Sequence, residues 1–313
     1  MNQQKRDDSQ ALSGSAPVPL VYAATLSTPS NHSALSSIDA ISTLIEQNQL
    51  PIHLTPKASD QKLTQKYRQQ LSEEYQSPVL IIDDKGELSL LIEGISVAPN
   101  WAKLQRRVVS AGRKSELLLQ AAKLSAGQSA LDATAGFGHD SLILASTGAQ
   151  VTMLEQQPLL ALLLLVEQQK MVQEPNWQKL MARLDIVHCT AESYLAHALP
   201  QRMAFDVVYL DPMFPGDSYE NSKTGKGAKV GKHMQALHGL VAPPSKEAEV
   251  SLFDLAKNAI ADSQDAQGQN QDRLEATGRR LIIKRPISAP HLAGQTPDEV
   301  WQNDVVRFDG YFA

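Results

Sequence analysis

The sequence predicts an α/β fold built on a doubly wound parallel sheet. From residue 129 onward, short apolar runs alternate with segments whose apolar residues follow helical spacing, which is typical of parallel sheets covered by helices. A glycine-rich turn, DATAGFGHD at 132–140, follows the first of these runs. The chain has 313 residues, 42% of them hydrophobic, which is enough to bury a sizeable core without metal or disulfide staples.

Composition divides the chain into three predicted parts. Residues 1–15 are polar and rich in Ser and Gln, so we expect a disordered lead-in. Residues 16–98 are predicted to form a small α/β domain, and residues 99–313 the main domain. The small domain is expected to contain a strand at 20–25, a helix at 35–50 and a hairpin at 79–92 with its turn at 84–86.

The main domain opens with one predicted helix that has the basic residues of 101–114 at its start, continues through 116–124 and is ended by Gly127. A helix at 141–147 is closed by a glycine, and a later one is opened by Pro158, where a missing N–H costs little. Another amphipathic helix is predicted at 250–260. The predicted strands lie at 129–132, 150–155, 185–190, 205–211, 280–284 and 305–312.

Several classes of protein are excluded at this stage. One cysteine, Cys189, cannot form an intrachain disulfide or a cysteine-based zinc site. The longest apolar run, 159–166, is far too short to span a membrane, and the N-terminus does not resemble a signal peptide. The histidines show no metal-ligand spacing. We expect a cytoplasmic protein without a bound metal or a membrane partner.

The net charge of −5 conceals two segments that contain basic residues but no acid: 101–115, with lysine and arginine, and 221–246, with lysine alone. An acidic body with basic patches suits a protein that meets a polyanion on one face, although such runs are also common on ordinary solvated surfaces. We predict that the following residues contact RNA phosphates, the last two from the end of the fifth strand of the main domain: Arg106, Arg107, Arg113, Lys114, Lys223, Lys226, Lys229, Lys232, Lys284 and Arg285.

The glycine-rich turn is the first candidate site. Gly136 and Gly138 let the backbone approach a ligand at the carboxyl end of a strand. Glu155 ends the next strand, 23 residues after Asp132, and a carboxylate there can accept hydrogen bonds from both hydroxyls of a ribose. The pair of features indicates an adenosine-containing cofactor; the alternative is a tight turn beside an unrelated acid.

The charges near this turn favour one cofactor over another. A dinucleotide site needs a third glycine and a helix N-terminus free for phosphate, but Ser141 and Asp140 stand there. S-adenosylmethionine carries a sulfonium and an ammonium, for which Asp132 and Asp140 are suitable counter-charges. The sequence therefore favours S-adenosylmethionine over NAD.

The second candidate site is Asp211-Pro-Met-Phe-Pro at the end of the fourth strand of the main domain. The Asp211 carboxylate and the Pro212 carbonyl could accept both N–H groups of an exocyclic amine while Phe214 stacks on the base. Methyl transfer to such an amine depends mainly on in-line positioning. The alternative is that Asp-Pro only ends the strand and that Phe214 belongs to the core.

Four motifs in this order, LDATAGFGHD, VTMLEQQP, VVYLDPMFP and IIKRP, resemble the bacterial ribosomal RNA small subunit methyltransferase J family. The resemblance covers roughly residues 99–313. It implies a Rossmann-like S-adenosylmethionine-dependent methyltransferase fold, and a substrate that is N2 of a guanosine in 16S rRNA, position 1516 in standard bacterial numbering. The implied partner is 16S rRNA or the small ribosomal subunit.

The resemblance also implies cofactor contacts. Members of this family often carry Arg where His139 and Gln156 stand, so this chain departs from the pattern at those two positions. Asp211 is implied to lie where cofactor and substrate meet. The implied cofactor contacts are His139, Asp140, Glu155, Gln156, Thr190, Ala191 and Asp211.

Three alternatives stay open on the sequence alone. The Asp-Pro-x-Phe arrangement suits any planar amine, so adenine in DNA or a protein side chain is a possible substrate. A nicotinamide-dependent oxidoreductase is a second alternative, which Ser141 and the two aspartates of the turn oppose. A non-catalytic RNA-binding module is the third.

Overall fold

The fold is described from a computed structural model. The structure describes residues 17–23, 33–112, 114–198, 205–212, 240, 244–261 and 278–313. Contacts divide the chain into two compact units, Met1–Gly94 and Ile95–Ala313. In the described part of the chain, no helix is long and apolar enough to cross a membrane.

The N-terminal unit is a small α/β layer whose strands follow the order β2-β1-β3-β4. Strands β1 and β2 are parallel, β3 is parallel to β1, and β3 and β4 form the predicted antiparallel hairpin. The hairpin turn is closed by the Asp83 carboxylate, which accepts hydrogen bonds from the backbone of Lys85 and Glu87 at 2.9 Å. The elements are β1 (Val18–Ala23), α1 (Ser33–Gln47), β2 (Leu54–Ser59), α2 (Gln65–Tyr75), β3 (Val79–Ile82) and β4 (Leu88–Ile92).

The C-terminal unit begins with helical segments and then alternates strands with helices. Its first part comprises β5 (Ile95–Val97), a 3₁₀ turn (Trp101–Leu104), α3 (Gln105–Ser110) and α4 (Leu117–Ala122). The alternating part comprises β6 (Ser129–Asp132), α5 (His139–Ser146), β7 (Gln150–Glu155), α6 (Pro158–Val172), α7 (Gln178–Met181), β8 (Leu184–His188), α8 (Ala191–Ala198), β9 (Val207–Leu210) and α9 (Lys246–Ala261). The last part comprises β10 (Arg280–Pro286), a 3₁₀ turn (Leu292–Gly294), β11 (Glu299–Gln302) and β12 (Val306–Phe312).

The sheet of this unit has the order β11-β12-β10-β9-β6-β7-β8. The strands from β10 to β8 are parallel, whereas β12 is antiparallel to both β10 and β11. The chain leaves β6 toward β7 on one side and later returns to β9 on the other. Open α/β sheets bind ligands at such a switch point, beyond the carboxyl ends of the strands.

Apolar strand residues form the core of this sheet. Leu131, Val208 and Leu281 from three neighbouring strands are fully buried and pack with Phe253 of α9. The helix α6 is buried along most of its first two turns, as expected for a helix that is apolar on nearly every face. The predicted parallel α/β fold is confirmed.

Element boundaries differ from the predictions by a few residues. The strand predicted at 185–190 ends at His188, and the helix predicted from 250 begins at Lys246. The single helix predicted from 101 to 124 is divided into the 3₁₀ turn, α3 and α4. The sequence analysis does not identify β2, α2, β5, α7, α8 or β11. The predicted contacts at Arg113, Phe214, Lys223, Lys226, Lys229 and Lys232 lie outside the described residues.

Candidate active site

The glycine-rich turn after β6 is held by backbone hydrogen bonds to both neighbouring strands. The Ala133 N–H donates to the Tyr209 carbonyl at 3.0 Å, and the Ala135 N–H donates to the Leu154 carbonyl at 2.9 Å. Gly136 and Gly138 have φ of 54° and 73°, a backbone region that glycine adopts without steric cost. The turn therefore lies at the switch point between β7 and β9.

The two glycines have different surroundings. A Cβ on Gly138 would stand 2.6 Å from Met153 Cε and 3.1 Å from the Trp101 ring, whereas a Cβ on Gly136 would meet nothing within 4 Å. A side chain at Gly138 would therefore force the end of Met153 to shift and would crowd the Trp101 ring. Gly136 leaves open space on the exposed side, where a ligand can approach the backbone.

Glu155, at the end of β7, holds this turn in place through hydrogen bonds to its backbone. Its Oε2 accepts the Gly136 N–H at 3.0 Å, and its Oε1 accepts the Gln157 N–H at 2.8 Å. The residue is 6% exposed, and burial raises the pKa of its carboxyl to about 7. A carboxylate offers about four lone-pair sites, so Glu155 keeps acceptor capacity for further donors.

Trp101 supports the turn from below, a role that the sequence analysis does not predict. Its indole N–H donates to the Phe137 carbonyl at 2.8 Å, and its backbone N–H donates to the buried carboxylate of Glu167 at 2.7 Å. Trp101 is fully buried. Its distance in sequence from the turn explains why no local pattern points to this contact.

Asp132, the last residue of β6, faces the interior of the turn. It accepts hydrogen bonds from the Ser141 hydroxyl at 2.5 Å and from the Thr134 N–H at 3.2 Å, and it is 1% exposed. Burial raises the pKa of its carboxyl to about 7. Its predicted role as a counter-charge for the cofactor stays a prediction.

Lys284 of β10 joins two carboxylates at the centre of the site. Its Nζ donates to Asp140 Oδ2 at 2.8 Å and to Asp211 Oδ2 at 2.7 Å. Asp140 also accepts the Tyr209 hydroxyl at 2.7 Å, and the Asp211 N–H donates to the Thr134 hydroxyl at 2.6 Å. The two predicted sites are thus parts of one cluster at the switch point.

Lys284 and Asp140 stabilise each other's charge, whereas burial raises the pKa of Asp211 above its ordinary value despite the nearby Lys284. Burial lowers the pKa of Lys284, but the negative charges of Asp211 and Asp140 outweigh burial and hold that pKa above its ordinary value. Burial raises the pKa of Asp140, yet Lys284 more than compensates, so the pKa of Asp140 lies below its ordinary value. Asp140 and Lys284 are therefore both ionised at neutral pH.

The prediction that Arg285 contacts RNA is wrong. Its side chain is 3% exposed, and its Nε donates to the Pro290 carbonyl at 2.9 Å. Successive residues of a strand point to opposite faces of a sheet, so Lys284 and Arg285 do not reach the same crevice. Lys284 also has partners other than those predicted, namely the two carboxylates of the cluster.

The remaining predicted residues lie near the same edge or on α3. His139, Gln156 and Thr190 are exposed, and Ala191 begins α8 and is buried. Pro212 is buried directly after Asp211. Among the predicted RNA contacts, Arg106, Arg107 and Lys114 are exposed, and the Arg107 guanidinium makes two hydrogen bonds of 2.9 Å to Glu116.

Comparisons with known proteins show which family the chain belongs to. A family model described as "Putative SAM-dependent methyltransferase" matches residues 60–313. Over 287 residues the chain is 57% identical to the ribosomal RNA small subunit methyltransferase J of Psychrobacter cryohalolentis, covering 90% of this chain and 93% of that relative. The chain belongs to the methyltransferase J family. The Acinetobacter baumannii methyltransferase J is 35% identical and covers 74% of this chain and 77% of its own length.

A solved structure shows the same fold as this methyltransferase J family member. The SAM-dependent methyltransferase of Neisseria gonorrhoeae superposes with a TM-score of 0.62 at 24% identity, covering 94% of this chain and 96% of that one. The predicted Rossmann-like methyltransferase fold, the predicted family and S-adenosylmethionine as cofactor are confirmed. Membership of the family leaves the oxidoreductase and the non-catalytic module without support.

The residues of this methyltransferase J family member fit S-adenosylmethionine. Gly136 leaves the backbone of the turn open, and Glu155 stands beside it with acceptor capacity for ribose hydroxyls. Asp140 and Asp211, which share one lysine, leave a net negative charge that suits a sulfonium and an ammonium. When bound, the cofactor supplies an electrophilic methyl group.

Proposed function

We propose that this chain methylates the exocyclic N2 of a guanosine in 16S rRNA, with S-adenosylmethionine as the methyl donor. The resemblance to the methyltransferase J family implies guanosine 1516. One observation carries the proposal: Asp211, at the start of the predicted amine site, shares Lys284 with Asp140 of the cofactor turn. A substrate amine at Asp211 would therefore lie beside the cofactor.

The residues around Asp211 hold it in one orientation. Thr134 accepts the Asp211 backbone N–H, and Lys284 binds the Oδ2 atom. The carboxylate keeps lone pairs for one N–H of the amine, and the Pro212 carbonyl is a candidate acceptor for the other. Holding both N–H groups would direct the nitrogen lone pair toward the methyl group, and such positioning supplies most of the rate. The nitrogen would gain the methyl group as the bond from that group to the donor sulfur breaks, and it would then lose one N–H proton to solvent.

The substrate base must leave its stack to reach this crevice. Phe214, predicted to stack on it, lies outside the described residues and stays a prediction. Arg106 and Lys114 are exposed near α3 and would hold RNA phosphates without reading sequence. We propose 16S rRNA or the small ribosomal subunit as the partner and, since ribosomal RNA is modified there, the cytoplasm as the location.

The test uses purified protein, labelled S-adenosylmethionine and small ribosomal subunits from a strain that lacks this protein. We expect one methyl group per subunit, mapped by mass spectrometry to N2 of a single guanosine. Asp211→Asn should reduce the rate at least tenfold, because a neutral amide is a weaker acceptor. The exposed Asp254→Asn of α9 is the matched control, and its rate should not change.

Two outcomes would contradict the proposal. Methyl label on DNA or on protein, with none in the RNA, would support the alternative amine substrates. Label in the RNA at a position other than guanine N2 would support RNA as the substrate but contradict N2 as the methylated atom.

A further inference from the structure

The position of Lys284 has a consequence for how the enzyme would choose its base. A lysine ammonium has three N–H donors, and Asp140 and Asp211 account for two of them. The side chain is 29% exposed and that of Asp211 is 33% exposed. A positive donor and a negative acceptor thus stand side by side, 2.7 Å apart, and both are open to the crevice.

Guanine and adenine differ in what they present to such a pair. Guanine carries an acceptor, O6, on one side of N1 and the N2 amine, a donor, on the other. Adenine carries an amine donor where guanine has O6. An ammonium opposite position 6 and a carboxylate opposite position 2 therefore match guanine and oppose adenine.

We infer that Lys284 is a specificity-determining residue that donates its third N–H to O6 of the target guanine while Asp211 accepts from N2. This inference rests on the proposed function and extends it from the reacting atom to recognition of the base. The two ion pairs fix Nζ before substrate arrives, so little side-chain freedom is lost when the base binds. Direct contact with the base would make Lys284 part of the substrate site rather than a phosphate ligand.

The test compares small subunits or rRNA that carry guanine or 2-aminopurine at the target position. 2-Aminopurine keeps the reacting amine but lacks O6. Wild-type enzyme should prefer guanine in kcat/KM by roughly tenfold to a hundredfold. Lys284→Met should lower that ratio toward one, since only the guanine substrate loses a hydrogen bond to O6; guanine also differs from 2-aminopurine by the hydrogen on N1, and that difference is the same for both enzymes. Lys179→Met in α7, an exposed lysine at the opposite edge of the sheet, is the control and should leave the ratio unchanged.

A third substrate makes the test independent of how well the variant folds. 2,6-Diaminopurine shares the ring nitrogens of 2-aminopurine but places an amine at position 6. Wild-type enzyme should methylate it more slowly than 2-aminopurine, because two donors would face each other. Equal wild-type rates on these two substrates would overturn the inference.

Two further results have distinct meanings. If Lys284→Met raises the KM for S-adenosylmethionine and leaves the guanine preference unchanged, Lys284 serves the cofactor and the inference fails alone. If wild-type enzyme places no methyl on N2 of the target guanine, the proposed function and the inference fail together.

Discussion

At the scale of single residues, Glu155 combines two tasks that are often separate. Its carboxylate anchors the Gly136 N–H, and the same group is the predicted ligand of the cofactor ribose. A change at this position therefore disturbs both the turn and the ligand. Glutamine cannot substitute cleanly, because its amide nitrogen would place a donor against the N–H of Gly136 or Gln157.

We predict that Glu155→Gln weakens binding of S-adenosylhomocysteine by about tenfold or more, the usual effect of leaving buried donors unsatisfied. Isothermal titration calorimetry measures this directly. Glu174→Gln, a change at an exposed position, should bind like wild type. Unchanged affinity in Glu155→Gln would remove Glu155 from the cofactor site.

The pH dependence of cofactor binding follows from buried acids. Burial raises the pKa values of Glu155 and Asp132 to about 7, so both carboxyls become charged as the pH rises through neutrality. Affinity for S-adenosylhomocysteine should therefore increase from about pH 6 to about pH 8, by up to roughly tenfold for each group. Calorimetry across this range measures it, and Glu155→Gln should flatten the curve in part. A flat wild-type curve would contradict the prediction.

The contribution of Glu155 to folding stability changes with pH in the direction opposite to cofactor affinity. Its folded-state pKa of about 7 lies above its ordinary value of 4.5, so the unfolded chain releases the proton first as the pH rises. The stabilising contribution is complete below about pH 4.5 and is lost as the pH rises through about 7. Cofactor affinity and this part of the stability therefore change in opposite directions.

At the scale of elements, the turn between β6 and α5 depends on Gly138 more than on any other glycine of the turn. A methyl group there would collide with Met153 in the packing beneath the turn. Gly127 also has a positive φ, 80°, but a Cβ there would meet nothing within 4 Å. Alanine at Gly127 would therefore introduce backbone strain alone, whereas alanine at Gly138 would introduce both strain and a steric collision.

We predict that Gly138→Ala lowers the free energy of unfolding by about 2–4 kcal/mol, because overpacking adds to the strain of a positive φ. Gly127→Ala should cost about 1–2 kcal/mol from strain alone. Urea denaturation followed by circular dichroism gives both values. If both variants lost the same free energy of unfolding, the side chains beneath Gly138 would have to accommodate the added methyl group without cost.

The sequence predicts the buried strands of the main domain well, because apolar runs bounded by turns leave few alternatives. It does not identify β2, an edge strand that includes Pro56 and is exposed along most of its length. It also does not identify α2, which buries one residue, Leu71, and is otherwise polar. Elements that bury little carry little hydrophobic pattern.

The site divides in a similar way. Asp132, Glu155 and Asp211 could be predicted because the first two end strands and Asp211 directly follows one. The role of Lys284 depends on β10 lying beside β9, which is a matter of sheet order rather than local sequence. The place of Tyr209 in the site could have been predicted. It stands two residues before Asp211, and the two-residue period of a strand predicts that both side chains lie on the same face.

At the scale of the whole molecule, the charge is unevenly distributed. The net charge is −5, yet Arg106 and Arg107 lie exposed on α3 in a segment without acids. The two guanidinium groups differ in their partners, since that of Arg107 forms an ion pair with Glu116. A phosphate would have to compete with Glu116 for Arg107 but not for Arg106 in this arrangement.

We predict that Arg106→Gln weakens RNA binding and lowers the slope of log affinity against log salt by about one, as expected when one phosphate contact is lost. Filter binding or anisotropy at several salt concentrations measures the slope. Arg107→Gln should have a smaller effect, and Lys85→Gln, in the hairpin of the N-terminal unit, should have none. An unchanged slope in Arg106→Gln would exclude this residue from the RNA surface.

The open side of Gly136 has a consequence for inhibitor design. With the ribose at Glu155 as predicted, a compound that enlarges the ribose end of a cofactor analogue would press on the carboxylate that binds the Gly136 N–H. A compound that instead grows across Gly136 enters space where an added Cβ would touch nothing within 4 Å. Medicinal chemistry against this methyltransferase should therefore extend its scaffolds over the glycine and leave the sugar hydroxyls unmodified.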